Sequence, residues 1–208
     1  MKMKKVIWGT IAACFILIII VSGIFIKNIK RGYETKKIVV HKNGNTINFV
    51  KSDSIGATQS DIAFNFKEKF RSISKEESQI LFNNLPFEGN VLFNMDSSKA
   101  VHMEGNIENI KLIIATPGIP VSDTVIEGKE TNSNVDGVPI SAGYFITDPN
   151  SKGKRNIIYY ATFKLGENTI YVEHAGLEEN SKTIRNELTE LIEELVKQKE
   201  IPLEKIEP

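Results

Sequence analysis

Three histidines, His41, His102 and His174, are by type the residues of this chain best suited to ligate a metal or move a proton near neutral pH. They fall on three separate predicted strands, without the helical or loop spacing that gathers ligands around one ion. Each therefore reads as an ordinary strand histidine. Glu173-His174-Ala175-Gly176 is the one stretch where a titratable pair adjoins a permissive turn. Successive strand residues point to opposite faces, so that pair is not expected to act together. Cys14, the only cysteine, lies inside an apolar run, which leaves the rest of the chain without a thiol nucleophile, an internal disulfide or a thiolate zinc site. The chain has no Gly-x-Ser-x-Gly elbow, no phosphate-cradling glycine loop, no dinucleotide fingerprint and no His-Glu-x-x-His helix. Carboxylate pairs remain, but only a fold fixes the separation that glycosidase-type chemistry needs. The sequence thus assigns no catalytic, cofactor-binding or metal-binding residue, and no cofactor.

Charge narrows the partners. Lysine plus arginine and aspartate plus glutamate each total 26 in 208 residues, so no net field recruits a polyanion, and nucleic acid is not an expected partner. The membrane is. From Val6 to Ile26 the chain runs without a charge, and at about 1.5 Å rise per residue a helix of that length crosses the roughly 30 Å hydrocarbon core. A helix is the single-segment solution because it pairs every backbone amide internally. Trp8 sits near one end, at the depth where indoles anchor. Basic residues flank both ends: Lys2, Lys4 and Lys5 before, and Lys27, Lys30, Arg31, Lys36 and Lys37 after. Their count favours a cytoplasmic domain. A short basic N-terminus running straight into an apolar core is nevertheless the signal-anchor pattern, and it places the C-terminal part outside the cytoplasm. A cleaved signal peptide fits less well, because the apolar run exceeds the usual length and shows no small-x-small cleavage site before Lys27. Ile11-Ala12-Ala13-Cys14 resembles a lipobox, yet the chain stays apolar after Cys14, where lipoproteins turn polar.

These readings divide the chain into a basic tail (1–5), a transmembrane helix (6–26), a polar linker (27–37), a soluble α+β domain (38–199) and a C-terminal tail (200–208). The domain must position whatever polar groups it uses. A hairpin is predicted first, from Ile38-Val39-Val40 and Ile47-Asn48-Phe49-Val50 around Asn43-Gly44. Thr58 and Asp61 resemble a capping box, and Ile62, Phe66, Phe70 and Ile73 recur at helical spacing, so a helix is expected there; alternation of Ile62, Phe64 and Phe66 offers a strand instead. Ser74 with Glu77 caps a short helix ending before Pro86. Val91 to Met95, Ala100 to Glu104 and Ile110 to Ala115 read as a meander. Thr116 to Glu130, with Pro117, Gly118 and Pro120, is the expected long recognition loop. Asp136-Gly137 marks a hairpin before Val138 to Ile146, and Ile157 to Leu165 and Thr169 to His174 form another. Ile184, Leu188, Leu191, Ile192, Leu195 and Val196 lie on one face of a last helix, with Asn180 or Ser181 as its cap and Pro202 beyond its end. That apolar stripe needs a partner, and Glu187, Glu190, Glu193 and Glu194 on the other face argue for a sheet rather than an anionic membrane surface. The expected fold is α+β: one N-terminal transmembrane helix, then an antiparallel sheet packed against a C-terminal amphipathic helix.

From Ile73 to Lys197 the order of elements resembles the uncharacterised C-terminal extracytoplasmic domain of Gram-positive bacterial membrane proteins, some of them anti-sigma-factor-like. The likeness rests on Ser74-Lys75-Glu76-Glu77 leading to Leu85-Pro86-Phe87, on Val135-Asp136-Gly137-Val138-Pro139-Ile140, and on Ile157 to Val172 followed by Ser181 to Lys197. The resemblance implies an extracytoplasmic address and transfers no catalytic residue. Five residues before the apolar run hold no sigma-binding or zinc-binding module, which departs from the anti-sigma pattern.

The expected function is a single-span, membrane-anchored extracytoplasmic domain that binds an envelope protein or a cell-surface ligand and is not an enzyme. One alternative is an envelope hydrolase whose carboxylates converge only in the fold. Another is a small accessory subunit of a membrane complex, bound through Gly9 and Ala13 at small-xxx-small spacing with Thr10 beside them.

Overall fold

Two residues fix the first hairpin. Asn43 and Gly44 both adopt positive φ, 51° and 82°, as a type I′ turn requires, and they join β1 (Lys37–Lys42) to β2 (Asn45–Lys51). The computed structural model describes residues 37–52, 67–83, 85–119, 121 and 133–208. Further along come β3 (Glu68–Ser72), α1 (Lys75–Phe82), β4 (Phe87–Asn94), β5 (Lys99–Ile107) and β6 (Ile110–Ala115). After these lie β7 (Asn134–Val135), β8 (Val138–Pro139), β9 (Ser141–Ile146), β10 (Asn156–Leu165) and β11 (Asn168–Leu177). A 3₁₀ turn (Glu178–Asn180) leads into α2 (Ser181–Lys197), and a second one spans Leu203–Lys205.

Among the described residues the strands form one eleven-stranded sheet in the order β3-β4-β5-β6-β11-β10-β9-β2-β7-β8, with β1 on β2. Most neighbours are antiparallel. β2 is the exception: it runs parallel to β9, with Phe49 opposite Ala142, Val50 opposite Gly143 and Lys51 opposite Tyr144. This pairing corrects the expected antiparallel α+β arrangement to a mixed sheet with one C-terminal helix. Hairpin signals are local and report antiparallel neighbours, whereas a parallel pair joins segments distant in sequence. The helix expected over residues 6–26 lies outside the described residues, and among those described no helix is long and apolar enough to cross a membrane.

The stretch expected as a helix through Phe70 and Ile73 is also corrected. Residues 53–66 lie outside the described ones, and Phe70 sits in β3, opposite Leu92 of β4. Backbone pairing along that edge outweighs a weak periodicity. α1 begins where the capping box predicts: Glu77 N donates to Ser74 Oγ at 3.2 Å, and Ser74 N donates to Glu77 Oε2 at 2.8 Å. Arg71 of β3 completes that corner. It donates to Glu77 at 2.8 Å, to the Glu207 carbonyl near the end of the chain, and lies over the Phe93 ring. With Arg71 and the Ser74 amide as donors, the Glu77 carboxyl is held down at about 2.

α2 carries the packing. Ile184, Leu188, Leu191, Ile192, Leu195 and Val196 are all buried, and the helix lies against β10 and β11. Each such side chain contributes about 1.5 to 3 kcal/mol by leaving water. Neither expected cap operates through its side chain: Asn180 makes no capping hydrogen bond, and Ser181 Oγ lies 2.8 Å from Tyr159 Oη instead. Ile201, Leu203 and Ile206, in the stretch read as a tail, are buried in the same core. One place on this face has no room for side chains. Gly89 and Gly105 face each other across β4 and β5, and a Cβ on either would stand 2.6 Å from Phe87 Cζ, so the Phe87 ring roofs both glycines.

Candidate functional site

The sheet has two faces, and the histidines divide between them. His174 turns toward α2, where its Nε2 lies 2.7 Å from Glu187 Oε2. His102 is buried on the opposite face, beside Glu104 at 3.8 Å. His41 lies on the β1 hairpin with its Nδ1 3.0 Å from Thr46 Oγ1. The structure does not bring them together, and among the described residues no group of three or more His, Cys, Asp or Glu side chains is placed to hold a metal ion. Glu173 and His174 occupy opposite faces: Glu173 Oε2 accepts a 2.6 Å hydrogen bond from Tyr171 Oη, away from the helix.

Strand register lays a line of polar side chains across the face that α2 leaves open. Asn106 of β5 pairs with Lys111 of β6, and Lys111 pairs with Glu173 of β11. Lys111 Nζ reaches diagonally to Glu104 Oε1 at 2.7 Å. Beneath and beside these groups lies a small apolar cluster of Ile113, Ala115, Val121, Tyr160 and Tyr171, with Ile119 against it. His102 and the Lys111 ammonium hold the Glu104 carboxyl down at about 2. Burial, reinforced by the Glu173 charge, pushes the Tyr171 phenol up. Both shifts move away from neutrality. A general base or acid is tuned toward the working pH, so these groups are arranged as a fixed ion pair and a fixed hydrogen-bond donor.

The open polar groups lie further out, where β3 stops short of the beginning of β4. A cleft of about 860 Å³ opens there, between α1, the loop that follows it and the β3-β4-β5 end of the sheet. Ser72 and Asn90 face each other in register, and Ser72 Oγ donates to Asn90 Oδ1 at 3.1 Å, which leaves the Asn90 amide nitrogen as a donor. Asn106, opposite Glu88, adds a second amide on the same face, and Gln79 and Asn83 add two more from α1 and its C-terminus. The side chains of Gln79, Asn83 and Asn106 make no hydrogen bond among the described residues. Phe70, two positions before Ser72 on β3, is 59% exposed and projects from that same face.

The sequence reading did not single out these residues. Asn, Gln and Ser at these positions look like turn and surface residues, and only pairing of three strands with a helix end gathers them. Their one signal was the break between Phe82 and Phe87, where a helix C-terminus and Pro86 announce a change of direction. The expected recognition loop is described at residues 116–119 and 121, where Ile119 and Val121 join the small apolar cluster; the remainder lies outside the described residues. A second, smaller cleft of about 420 Å³ lies where the β10-β11 turn meets the end of the chain, lined in part by Glu167, Glu200 and Glu204.

No family model, curated protein or solved structure matches the chain. The resemblance to the extracytoplasmic domain of Gram-positive membrane proteins rests on its quoted residues alone.

Proposed function

We propose that this chain is a membrane-anchored extracytoplasmic interaction domain without catalytic activity, and that it recognises its ligand at the cleft beside Ser72, Asn90 and Asn106. The observation that carries the reading is a division of labour among polar groups. On the open face Glu104 is paired with Lys111 and Tyr171 with Glu173, and the Glu104 carboxyl and Tyr171 phenol are shifted away from neutral pH, whereas the amides around the cleft have hydrogen-bonding capacity unspent on the protein. Ligand sites characteristically combine such a concavity, of about 300 to 1,000 Å³, with a few polar groups that fix orientation. The uncharged run from Val6 to Ile26 supports the anchoring part of the proposal. The signal-anchor pattern supports the extracytoplasmic side.

Two experiments test the two parts. Protease added to intact cells digests the domain under this proposal; digestion only after lysis contradicts the orientation. A photo-crosslinking side chain in place of Gln79, in the full chain in its own membrane, yields adducts with an envelope component. Absence of any adduct contradicts the binding role.

The hydrolase reading keeps one favouring observation, the three glutamates lining the smaller cleft. Hydrolysis of an envelope polymer by the full chain, abolished by Glu200→Gln, would replace the proposal above.

A further inference from the structure

We propose that the cleft beside α1 binds a neutral, polyhydroxylated ligand, a glycan chain lying across the β3-β4-β5 end of the sheet; this rests on reading the chain as an interaction domain.

Three features point to that chemistry. The first is the kind of polar group. Side-chain amides carry a donor and an acceptor on one planar unit, and the hydroxyls of a sugar each donate and accept, so Asn90, Asn106, Gln79 and Asn83 match neighbouring hydroxyls better than they match a purely anionic or purely cationic group. The second is charge. Among the described residues lining the cleft only Lys75 and Glu88 are charged, and they cancel. An anionic polymer would meet no basic cluster and gain nothing from counterion release. The third is an aromatic platform at the right place. Phe70 stands on the same face as Ser72, about 7 Å along the strand, a span comparable with one sugar residue. Its exposed ring offers an apolar face to the C–H side of one sugar while the Ser72–Asn90 pair meets the hydroxyls of the next. Ile73 and Leu85 supply further apolar wall, and the cleft is large enough for more than one ring.

A folded protein segment is the competing occupant, and it would favour a larger and more continuous apolar core than one exposed ring supplies. The experiment separates the two. The full chain, in nanodiscs of zwitterionic lipid without any sugar-headed detergent, is titrated calorimetrically with a neutral linear hexasaccharide, with and without N-acetyl groups, and with an anionic phosphate-backbone polymer. Saturable binding of a neutral hexasaccharide is expected, insensitive to added salt and weakened about tenfold or more by Asn106→Ala and by Phe70→Ala, each at an exposed position. Failure of both hexasaccharides to bind, indifference of binding to both substitutions, or binding of the anionic polymer alone overturns the proposal. The crosslinking probe at Gln79 then distinguishes the levels. Protein adducts without glycan binding leave the interaction-domain reading standing and remove the glycan; no adducts and no binding remove both.

Discussion

The two faces of the sheet are built from strands of the same chain, yet they do different work. Under α2 the face is almost wholly apolar: Phe49, Tyr159, Leu188, Ile192 and Leu195 are fully or nearly fully buried, and polar exceptions such as Glu193 are few. The open face mixes a small apolar cluster with Glu104, Lys111, Tyr171 and Glu173, and ends in exposed amides and an exposed phenylalanine. Stability and recognition are therefore separable in this fold. Buried apolar area scales with stability and is indifferent to partners, while unspent hydrogen-bonding groups cost little in the free protein and become valuable when a ligand arrives.

The largest expected effect lies on the covered face. Leu188→Ala leaves a cavity under the middle of α2 and should cost about 2 to 5 kcal/mol, read from urea unfolding of the full chain. A loss well below that range would mean the helix is not the principal cover. On the open face, Tyr171→Phe removes the donor to Glu173 without changing shape, with an expected loss of about 1 to 2 kcal/mol. A neutral result would deny that the Tyr171–Glu173 bond stabilises the sheet.

Acid sharpens the same comparison. Glu77 and Glu104 are both held at about 2, below the ordinary carboxylate value of 4.5. A carboxylate lowered in the folded state stabilises above its unfolded pKa and stops doing so as pH falls through the folded one, so stability should decline from pH 4.5 toward 2. Partial solvent screening limits each contribution to about 1 kcal/mol. Glu104→Gln should flatten part of that decline in unfolding midpoints measured across the window. An unchanged slope would show that the interactions of Glu104 with His102 and Lys111 contribute nothing.

What the sequence made legible was local. Asn43-Gly44 announced its turn, Ser74 and Glu77 their capping box, and Ile184 through Val196 a helix with one apolar stripe, because each signal spans a few residues governed by backbone preference or periodicity. The parallel contact of β2 with β9 was not legible, since nothing near Phe49 names Ala142 as its neighbour. β3 was misjudged because Phe66, Phe70 and Ile73 satisfy helical spacing while the hydrogen bonds to β4 decide the outcome. The candidate site fared worst. Its amides come from β4, β5, α1 and the α1 C-terminus, and the property that matters, hydrogen-bonding capacity left unspent inside the protein, exists only after folding. His174 illustrates the same limit: its position on a strand was readable, its bond to Glu187 on the last helix was not.

Under the proposed function, the open β3-β5 end recognises a ligand that the fold itself does not need. Phe70→Ala combined with Asn106→Ala tests it most directly, with unfolding midpoint and crosslinking yield from the Gln79 probe read on one membrane preparation. Both residues are exposed, so the midpoint should shift by no more than the equivalent of about 0.5 kcal/mol in unfolding free energy, while most of the adduct is lost. An adduct yield equal to the parent's, or a midpoint that collapses with it, would contradict that claim.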